Sequence, residues 1–389
     1  MENNKKIFFW SPFTGKIGTV NNVINSVYSL VKFQKKKKIQ ISLINCFGEW
    51  NFAKKDLLKK NIQTIDFYNL DFFLNIKKEG FLRSRLSYIF IFFISFLPLL
   101  KILIKKKPNF LNVHLLTTLP FILFNFFNFE TKLILSIAGY PKLNFFRKFL
   151  WKKTSSKIYR IVCPSLELKK ELIKLDIFEE KKIFVIQDPH LNVKNINRFK
   201  VIKETEKFLD DNKIIISIGR LTKQKNFEFL IRNFSKLVKT NNNLKLIIIG
   251  DGEKKDELQQ QIKELNLEEK VRIFGQRKNI YNYLNQSSYY ISTSNWEGSS
   301  LAMIDAAYIG IPILCSDCPS GRKEFININK RGYLYINNND DDFIKKFNSM
   351  INDEKDKINL KLIEAKKETK KFTLFQYYKR FIKMIENEH

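Results

Sequence analysis

The chain alternates short, mainly apolar runs with longer segments in which apolar residues recur at helical spacing. Such runs predict strands that are buried on both faces of a parallel sheet. They lie at residues 7–10, 39–44, 110–113, 133–137, 161–164 and 183–186 in the first half, and at 214–218, 244–249, 271–274, 289–292 and 311–315 in the second. Strands that alternate with helices predict an α/β protein with doubly wound parallel sheets.

Glycine and polar residues follow the predicted strands of the second half. Gly219 and Arg220 come directly after residues 214–218, and glycines also follow residues 244–249 and 271–274. In parallel α/β sheets the ligand binds beyond the carboxyl ends of the strands. The pattern therefore predicts one binding cleft in this half.

The chain begins with a strand, a glycine turn and a helix. Residues 7–10 run into a turn with Gly15 and Gly18, after which valine, isoleucine and leucine recur at helical spacing. This order is typical of a Rossmann-like unit whose turn faces phosphate. The turn lacks the full G-x-G-x-x-G pattern, so it indicates phosphate only together with other signals.

Residues 296–311, WEGSSLAMIDAAYIGI, predict a loop that opens into a helix. Ser299 and Ser300 are suited to cap its first N–H groups, and the partly positive helix start favours an anion. Glu297 precedes the turn, and Asp305 lies eight positions further on. Two carboxylates around an anion site suit a nucleotide-sugar, which has phosphates in its middle and hydroxyl groups at both ends. A solvent-facing Glu and an ordinary helical Asp are the alternative.

The most hydrophobic segment lies in the first half. Residues 86–100 carry no charge, include Pro98 and are bounded by basic residues. These fifteen residues are short for a membrane span, which needs about 20. A buried core helix, a helix in the membrane interface and a true span are all compatible, and the basic ends favour the interface. Residues 121–129 are a second aromatic element, which either extends this apolar surface or is buried against the sheet.

The net charge of +30 is concentrated in the first half, because residues 1–200 hold 36 basic and 13 acidic residues and residues 201–389 hold 33 and 26. Part of this basic excess reflects a general compositional bias, in which Lys is abundant together with Asn, Ile and Phe. The basic run at residues 35–38 is either a solvated turn or a contact for anionic lipid. The start of the chain lacks a signal-peptide layout, which predicts a cytoplasmic protein.

Four cysteines are too few and too scattered for a disulfide framework. Cys315 and Cys318 have C-x-x-C spacing, but no second pair or histidine cluster accompanies them. A metal site or redox centre is therefore not predicted there.

Several motifs of the second half occur in an order that resembles a known family. They are GRLTKQKN (219–226), IIIGDGE (247–253), VRIFGQ (271–276) and STSNWEGSSLAMIDAAYIGIPILCSDCPSGRKEF (292–325). They look like the retaining glycosyltransferases of family 4, over residues 205 to about 350. The resemblance implies the GT-B architecture, two Rossmann-like α/β domains facing a central cleft. The acceptor-side domain would span residues 1–195, the nucleotide-sugar domain 196–370, and a C-terminal helix at 371–389 would pack back on the first domain.

The resemblance implies roles for the matching residues. Arg220 and Lys225 would hold the diphosphate and, with Glu297, form the catalytic set, in which Glu297 contacts hydroxyl groups of the donor sugar. Asp305 stands where the family has a glutamate that binds the ribose hydroxyls, and its side chain is one methylene shorter. The other donor-binding positions are Gly15, Gly18, Gly219, Gly252, Gln276, Arg277, Ser299, Ser300 and Leu301.

The first domain of the family usually presents a histidine near the donor sugar. His114 follows residues 110–113 and either has this role or is a packed strand-end residue. The mechanism proposed for such enzymes needs no protein base, because the leaving diphosphate accepts the acceptor's proton. The acidic run at residues 340–342 precedes a helix and is explained by capping, so we expect neither a metal nor another cofactor.

We therefore expect a retaining hexosyltransferase that moves a sugar from a UDP- or GDP-sugar to a lipid-linked glycan acceptor, in the synthesis of polysaccharide, O-antigen (lipopolysaccharide) or a glycoprotein precursor. The basic first half and the apolar residues 86–104 predict a protein peripheral on the inner face of the cytoplasmic membrane, in contact with anionic lipid. Alternatives are a transferase with a soluble acceptor, an inactive relative, and a non-catalytic basic protein that binds membrane or nucleic acid. We expect no nucleic-acid partner, because the sequence contains no recognisable nucleic-acid-binding module.

Overall fold

The computed structural model describes residues 5–13, 18–34, 39–68, 81–141, 143–201, 207–209, 213–319 and 321–387, with side chains except at Gly18, residues 81–86 and Lys207. The chain divides into two compact units. The first unit comprises Met1–His190 and Leu374–His389, and the second comprises Leu191–Thr373.

A parallel sheet of seven strands forms the centre of the first unit in the described residues. The strands are β1 (Lys5–Trp10), β2 (Ile39–Asn45), β3 (Gln63–Asp66), β4 (Phe110–Val113), β5 (Lys132–Ser136), β6 (Ile158–Cys163) and β7 (Ile183–Val185). Their order is β3-β2-β1-β4-β5-β6-β7. Every strand predicted for this half is present. The sequence does not predict β3, because its residues QTID lack an apolar run and lie at the sheet edge.

The helices of the first unit that precede the second unit in sequence cover both faces of this sheet, which gives two separate apolar clusters. They are α1 (Gly18–Phe33), α2 (Lys54–Lys59), α3 (Phe81–Lys105), α4 (Thr118–Phe126), α5 (Phe145–Thr154) and α6 (Leu166–Lys174).

The apolar segment forms α3, which has 25 residues and continues through Pro98. Pro98 has no N–H to donate to the carbonyl of Ile94, and the hydroxyl of Tyr68 donates to that carbonyl instead, at 2.8 Å. One face of α3, with Leu99 and Leu103, is buried, whereas Phe93 and Leu97 on the other are both 71% exposed. The apolar helical stretch is longer than its uncharged part of fifteen residues, because Ser87–Lys105 is long and apolar enough to span a membrane by length and composition alone. The three alternatives for this helix therefore stay open.

A second parallel sheet, of six strands, forms the centre of the second unit as described. The strands are β8 (Lys213–Ile218), β9 (Leu244–Ile249), β10 (Val271–Gly275), β11 (Tyr289–Ser292), β12 (Ile313–Asp317) and β13 (Tyr333–Ile336). Their order is β10-β9-β8-β11-β12-β13. The five strands predicted for this half are present, and the edge strand β13 is an addition. The carboxyl ends of β8 and β11 are adjacent, which matters for the site below.

Helices again lie on both faces of this sheet and bury two apolar clusters. They are α7 (Val193–Phe199), α8 (Phe227–Thr240), α9 (Lys255–Glu264), α10 (Ile280–Asn285), α11 (Leu301–Ile309), α12 (Arg322–Ile326), α13 (Asp340–Asn352) and α14 (Lys355–Thr369). Residues 187–199 are polar, contain Pro189 and lack apolar periodicity, which predicts a linker, and this prediction is wrong because residues 193–199 are helical. A single apolar side chain, Ile196, is buried by α7, so the sequence contains no apolar periodicity that would indicate the helix.

The last helix, α15 (Leu374–Glu386), belongs to the first unit and packs on α1. The rings of Phe33 and Phe375 are 5.3 Å apart, and the hydroxyl of Ser29 donates to the carbonyl of Leu374. Buried Phe381 stacks on Phe9 of β1, with centroids 6.5 Å apart. This helix therefore completes the core on one face of the first sheet.

Candidate active site

Two strand-end loops of the second unit are held in contact by glycines. The N–H of Leu221, after β8, donates to the carbonyl of Asp251 at 2.9 Å. A Cβ atom at Gly250 would lie 1.8 Å from the carbonyl oxygen of Gly219, and one at Gly252 would lie 2.5 Å from that of Leu221. Glycine is therefore required here for close backbone approach. This contact fixes the position of exposed Arg220.

The loop after β8 is also bonded to the loop after β11. The N–H of Asn295 donates to the carbonyl of Gln224 at 2.8 Å, and the hydroxyl of Thr293 donates to the carbonyls of Lys225 and Asn226, both at 3.0 Å. These bonds place Lys225 and Glu297 side by side: Nζ of Lys225 lies 2.5 Å from Oε1 of Glu297. The structure thus joins two of the three residues predicted as the catalytic set.

Arg322, which the sequence analysis does not assign to the site, is a second cation on the same carboxylate. Its side chain is 1% exposed, and Nη2 lies 3.2 Å from Oε1 of Glu297. The residue lies in the PSGRKEF segment, but arginine is mostly exposed in proteins, so its type and position gave no signal of burial. The clue that the sequence did contain is the set of serines with which Arg322 bonds: Ser292 and Ser316 near strand ends and Ser300 before α11.

The surroundings of Glu297 act on its pKa in opposite directions. Burial raises the pKa, whereas the charges of Lys225 and Arg322 and hydrogen bonds from Lys225 and Ser294 lower it, and the net shift is downward. The carboxylate is therefore ionised at neutral pH. All its side-chain contacts converge on Oε1, and Oε2 has no hydrogen bond among the described residues. Oε2 is accordingly available to accept a hydrogen bond from a ligand hydroxyl.

Helix α11 begins at Leu301, after Ser300, as the sequence predicts. The prediction that the Ser300 side chain caps this helix is wrong, because it makes no capping hydrogen bond. Its Oγ accepts a hydrogen bond from Nε of Arg322 at 2.7 Å instead. The N–H of Leu301 donates to the carbonyl of Ser299 at 2.9 Å. The helix start is thus attached to Arg322 and through it to Glu297.

Asp305, the residue predicted to bind ribose, is 1% exposed in α11. Its Oδ1 accepts a hydrogen bond from the hydroxyl of Tyr281 in α10 at 3.1 Å. Burial, then the charge of Asp305 and this hydrogen bond, raise the pKa of Tyr281, so the phenol keeps its proton. The sequence does not indicate Tyr281. Its hydroxyl adds a hydrogen-bond donor beside the short side chain of Asp305.

The other predicted donor-binding residues lie around the same strand ends, except for two. Gln276 and Arg277 follow β10, where Arg277 donates to the hydroxyl of Tyr283 at 3.0 Å. Gly18 is the first residue of α1 in the first unit. Gly15 lies outside the described residues, as does the basic run at 35–38. Donor binding by these residues stays a prediction.

His114 follows β4 in the first unit. Its Nε2 lies 3.3 Å from Nδ2 of Asn112, whose Oδ1 accepts a hydrogen bond from Ser136 at 2.7 Å. Burial lowers the pKa of His114 to about 4, so the imidazole is neutral at pH 7. His114 lines a cavity of about 20 Å³ together with Asp188, which is room for about one water molecule.

A buried carboxyl group, that of Glu49, lies after β2 in the first unit. Its oxygens accept hydrogen bonds from the N–H groups of Cys46 and Phe47 at 3.1 and 2.9 Å. Burial nevertheless outweighs these bonds and raises the pKa of Glu49 to about 7. This group titrates near neutral pH.

The acidic run at 340–342 forms the first turn of α13. The helix is capped by the Asn339 side chain, which accepts from the N–H of Asp342. Asp340 accepts hydrogen bonds from Arg232 at 2.9 Å and Lys236 at 2.8 Å, and these bonds hold its pKa well below the usual range. The run therefore ties α13 to α8.

Comparisons with known proteins agree with the motifs. A family model described as glycosyl transferases group 1 matches residues 198–369, which lie in the second unit. The N-acetylgalactosamine-N,N'-diacetylbacillosaminyl-diphospho-undecaprenol 4-alpha-N-acetylgalactosaminyltransferase of Campylobacter jejuni is 38% identical over 154 residues, which are 39% of this chain and 41% of that protein. The chain spans about two fifths of the length of the curated relatives it matches.

Solved structures resemble the whole chain. A glycosyltransferase from Rickettsia africae matches with a TM-score of 0.77 at 18% identity, over 99% of this chain and 100% of that one. Anabaena HepE in complex with UDP matches with a TM-score of 0.71 at 15% identity, over 98% and 99%. At these identities the likeness concerns the fold alone, and it confirms the predicted GT-B architecture of two parallel α/β domains.

Proposed function

We propose that this chain, which carries a glycosyl transferases group 1 domain over residues 198–369, is a retaining glycosyltransferase. It transfers a sugar from a UDP- or GDP-sugar to a lipid-linked glycan acceptor in bacterial polysaccharide, O-antigen or glycoprotein-precursor synthesis. The Campylobacter relative has a diphospho-undecaprenol acceptor in its name, and HepE binds UDP. These properties of other proteins support the proposal.

The observation that carries the proposal is the carboxylate of Glu297 between two cations at the carboxyl ends of β8, β11 and β12. The cations that can reach a diphosphate are Lys225, which is 19% exposed, and Arg220, which is exposed, and both lie in the loop after β8. Arg322, the other cation on Glu297, is buried. Oε2 of Glu297 faces no partner among the described residues and suits a sugar hydroxyl. The site therefore offers positive charge for phosphate beside an acceptor of hydrogen bonds for sugar.

The chemistry proposed for this site needs no protein base. The bond between C1 of the donor sugar and the phosphate oxygen breaks, a bond between C1 and the acceptor oxygen forms on the same face, and the acceptor's proton passes to the leaving phosphate. Arg220 and Lys225 stabilise the charge that builds up on the leaving diphosphate. Glu297 orients the donor sugar, so it contributes to the rate by positioning the reacting groups.

The test is release of nucleoside diphosphate from a panel of UDP- and GDP-sugars by the purified protein. We expect one donor to be used. Glu297→Ala should lower the rate about tenfold or more. Glu269→Ala, a change at an exposed acid, should leave the rate unchanged. NMR of the product would give the same anomeric configuration as the donor. Equal rates for wild type and Glu297→Ala would remove Glu297 from the site, and an inverted product would exclude retention.

An exposed apolar surface on the first unit supports a membrane-bound acceptor. We define the aromatic surface as the most exposed apolar residues of α3, α4 and α5: Phe93, Leu97, Phe126, Phe145 and Phe149, which are 71%, 71%, 74%, 90% and 59% exposed. The same helices carry exposed lysines, among them Lys101, Lys148 and Lys153. Aromatic residues beside lysines favour the interface of an anionic bilayer.

An apolar cavity opens beside α3, within the first unit. It has a volume of about 270 Å³ and is lined by residues such as Trp10, Ile91, Phe92 and Leu116. Trp10 and Leu116 lie at the carboxyl ends of β1 and β4, and the indole N–H of Trp10 donates to the carbonyl of Leu116 at 3.1 Å. We propose that a hydrocarbon segment of the acceptor enters here from the bilayer.

Flotation with vesicles of phosphatidylglycerol and phosphatidylethanolamine tests membrane binding. We expect the wild type to float and the variant Phe93→Ser/Leu97→Ser/Phe145→Ser/Phe149→Ser to stay at the bottom. Phe92 is unsuitable for this test because it is partly buried against the core. Leu360→Ser/Ile363→Ser, a change at exposed apolar residues of the second unit, is the matched control and should float. Flotation of the quadruple variant together with the control, or failure of the wild type to float, would contradict the proposed membrane binding.

A further inference from the structure

Arg322 bonds with three separate segments of the second unit at once. Its Nε donates to Oγ of Ser300, Nη1 donates to Oγ of Ser316, and Nη2 donates to Oγ of Ser292, each at 2.7 Å. Nη2 also reaches Oε1 of Glu297 at 3.2 Å. A planar guanidinium donates hydrogen bonds in these fixed directions, which an ammonium group cannot do. The residue is thus bound to the ends of β11 and β12 and to the start of α11.

The two cations on Glu297 differ in their access to solvent. The side chain of Lys225 is 19% exposed, and that of Arg322 is 1% exposed. Lys225 has a flexible side chain at the edge of a loop, so it can turn toward a ligand. Arg322 is fully enclosed, and its hydrogen bonds with the serines hold it in place.

A diphosphate carries more negative charge than one carboxylate and therefore competes for Lys225. If Lys225 turned to the phosphates, Glu297 would lose a counter-ion while it stayed buried. A buried carboxylate without a counter-ion takes up a proton. A protonated Glu297 would have less charge with which to orient a sugar hydroxyl.

We propose that Arg322 is a positioning residue, which keeps Glu297 ionised and in place when Lys225 leaves it for the phosphates of a nucleoside diphosphate. This inference rests on the proposed function, because it assigns the diphosphate to Lys225. Arg322 touches no substrate. It acts through Glu297, and the serines at 292, 300 and 316 hold its guanidinium in the required direction.

Proton uptake on binding of UDP, or of GDP if that is the nucleotide bound, tests the proposal. It is measured by isothermal calorimetry in buffers of different ionisation enthalpy. At about pH 6 we expect the wild type to bind without uptake at Glu297, and Arg322→Met to take up about one proton per nucleotide. The double variant Arg322→Met/Glu297→Gln should bind without this uptake, because the titrating group is gone.

Two further variants separate charge from packing. Ser292→Ala removes one hydrogen bond of Arg322 but leaves both charges, so it should show no uptake. Arg322→Lys, which is used if Arg322→Met does not fold, keeps a charge without the planar fork. We expect it to bind without uptake and to raise KM for the donor sugar more than KM for an acceptor.

The outcomes distinguish failure of the role of Arg322 from failure of the proposed function. A wild type that binds neither UDP nor GDP would refute the proposed function. Nucleotide binding with no difference in proton uptake between wild type and Arg322→Met would overturn the role of Arg322 and leave the proposed function standing. Uptake by Ser292→Ala equal to that of Arg322→Met would assign the effect to packing and also overturn it.

Discussion

Nζ of Lys225 and Oε1 of Glu297 lie 2.5 Å apart although 72 residues separate them in the sequence. Both side chains are largely buried, so neither charge is well solvated. The pair forms because β8 and β11 are neighbours in the sheet and their following loops are bonded to each other. The ion pair is therefore part of the structure of the domain as well as of its candidate active site.

The strength of this pair can be measured by a double-mutant cycle. With Lys225→Met, Glu297→Gln and the double variant, we expect the coupling in the free energy of unfolding to be about 0.5–3 kcal/mol. The exposed pair Lys107–Glu130, at 2.8 Å, is the matched control, and its coupling should be below about 1 kcal/mol. Urea unfolding at neutral pH is the measurement. Equal coupling in the two cycles would contradict the role of burial.

The contact between Tyr281 and Asp305 predicts the result of replacing Asp305 by the longer glutamate. Asp305→Glu adds a methylene at a position 1% exposed and should lower the free energy of unfolding by about 1–3 kcal/mol. Tyr281→Phe removes the hydroxyl that Asp305 contacts and so makes room for the longer acid. The double variant should therefore be less destabilised than the sum of the two single variants, as judged by urea unfolding. Strict additivity would mean that the two side chains do not share this space.

Gly250, which follows β9, and Gly310, which follows α11, predict different costs for their substitution by alanine. Gly250→Ala directs a Cβ against the backbone of Gly219, and we expect it to destabilise the domain by about 3 kcal/mol and to weaken UDP binding by displacing the Arg220 loop. Gly310 has a φ of +97°, and a Cβ atom added there would have no atom within 4 Å. Gly310→Ala should lower the free energy of unfolding by about 1–2 kcal/mol through backbone strain and leave UDP affinity unchanged. Unfolding and calorimetry test both variants, and equal UDP affinity in Gly250→Ala and wild type would argue against the loop contact.

Glu49 predicts a pH dependence of stability. Its pKa is about 7 in the folded protein against an ordinary value of 4.5, so the folded state holds the proton more tightly. This stabilisation is complete below pH 4.5 and is lost as the pH rises through about 7. The difference in unfolding free energy between wild type and Glu49→Gln should therefore fall across this window by about 3 kcal/mol. A flat difference would show that Glu49 does not titrate there.

His114 has the opposite effect in an overlapping window. Its pKa is about 4 against an ordinary 6.5, so its contribution is present above pH 6.5 and is lost as the pH falls through about 4. The two groups partly cancel in the wild type, and each becomes visible in a single variant. The stability difference between wild type and His114→Gln should rise with pH. Urea unfolding at a series of pH values measures both slopes, and slopes of the same sign would contradict one of the two assignments.

The sequence predicts the fold well where a strand is buried on both faces, because such a strand is a mainly apolar run. All the central strands belong to this class. The edge strand β3 does not, since two of its four residues, QTID, are exposed. Helix α7 was missed for a related reason, because a short helix with one buried residue has no periodicity to detect.

For the site, the sequence predicts the individual residues better than their contacts. Arg220, Lys225 and Glu297 lie in the loops that follow β8 and β11, as their motifs predict, and their roles in donor binding stay predictions. The pairing of Lys225 with Glu297 depends on strand order, which local sequence does not encode. Arg322 and Tyr281 were missed because buried polar side chains depend on partners from distant segments. The hydroxyl of Ser300 was predicted to cap the helix backbone, but it accepts a hydrogen bond from Arg322 instead.

The position of α15 in the first unit has a consequence for synthesis on the ribosome. The sheet of this unit is made from residues 5–185, but the helix that covers α1 follows the entire second unit in the chain. The second unit therefore emerges complete while part of the apolar face of α1 is still uncovered. Nascent chains that expose such surfaces are prone to aggregate and are recognised by chaperones. The first unit to be translated is thus the last to be finished.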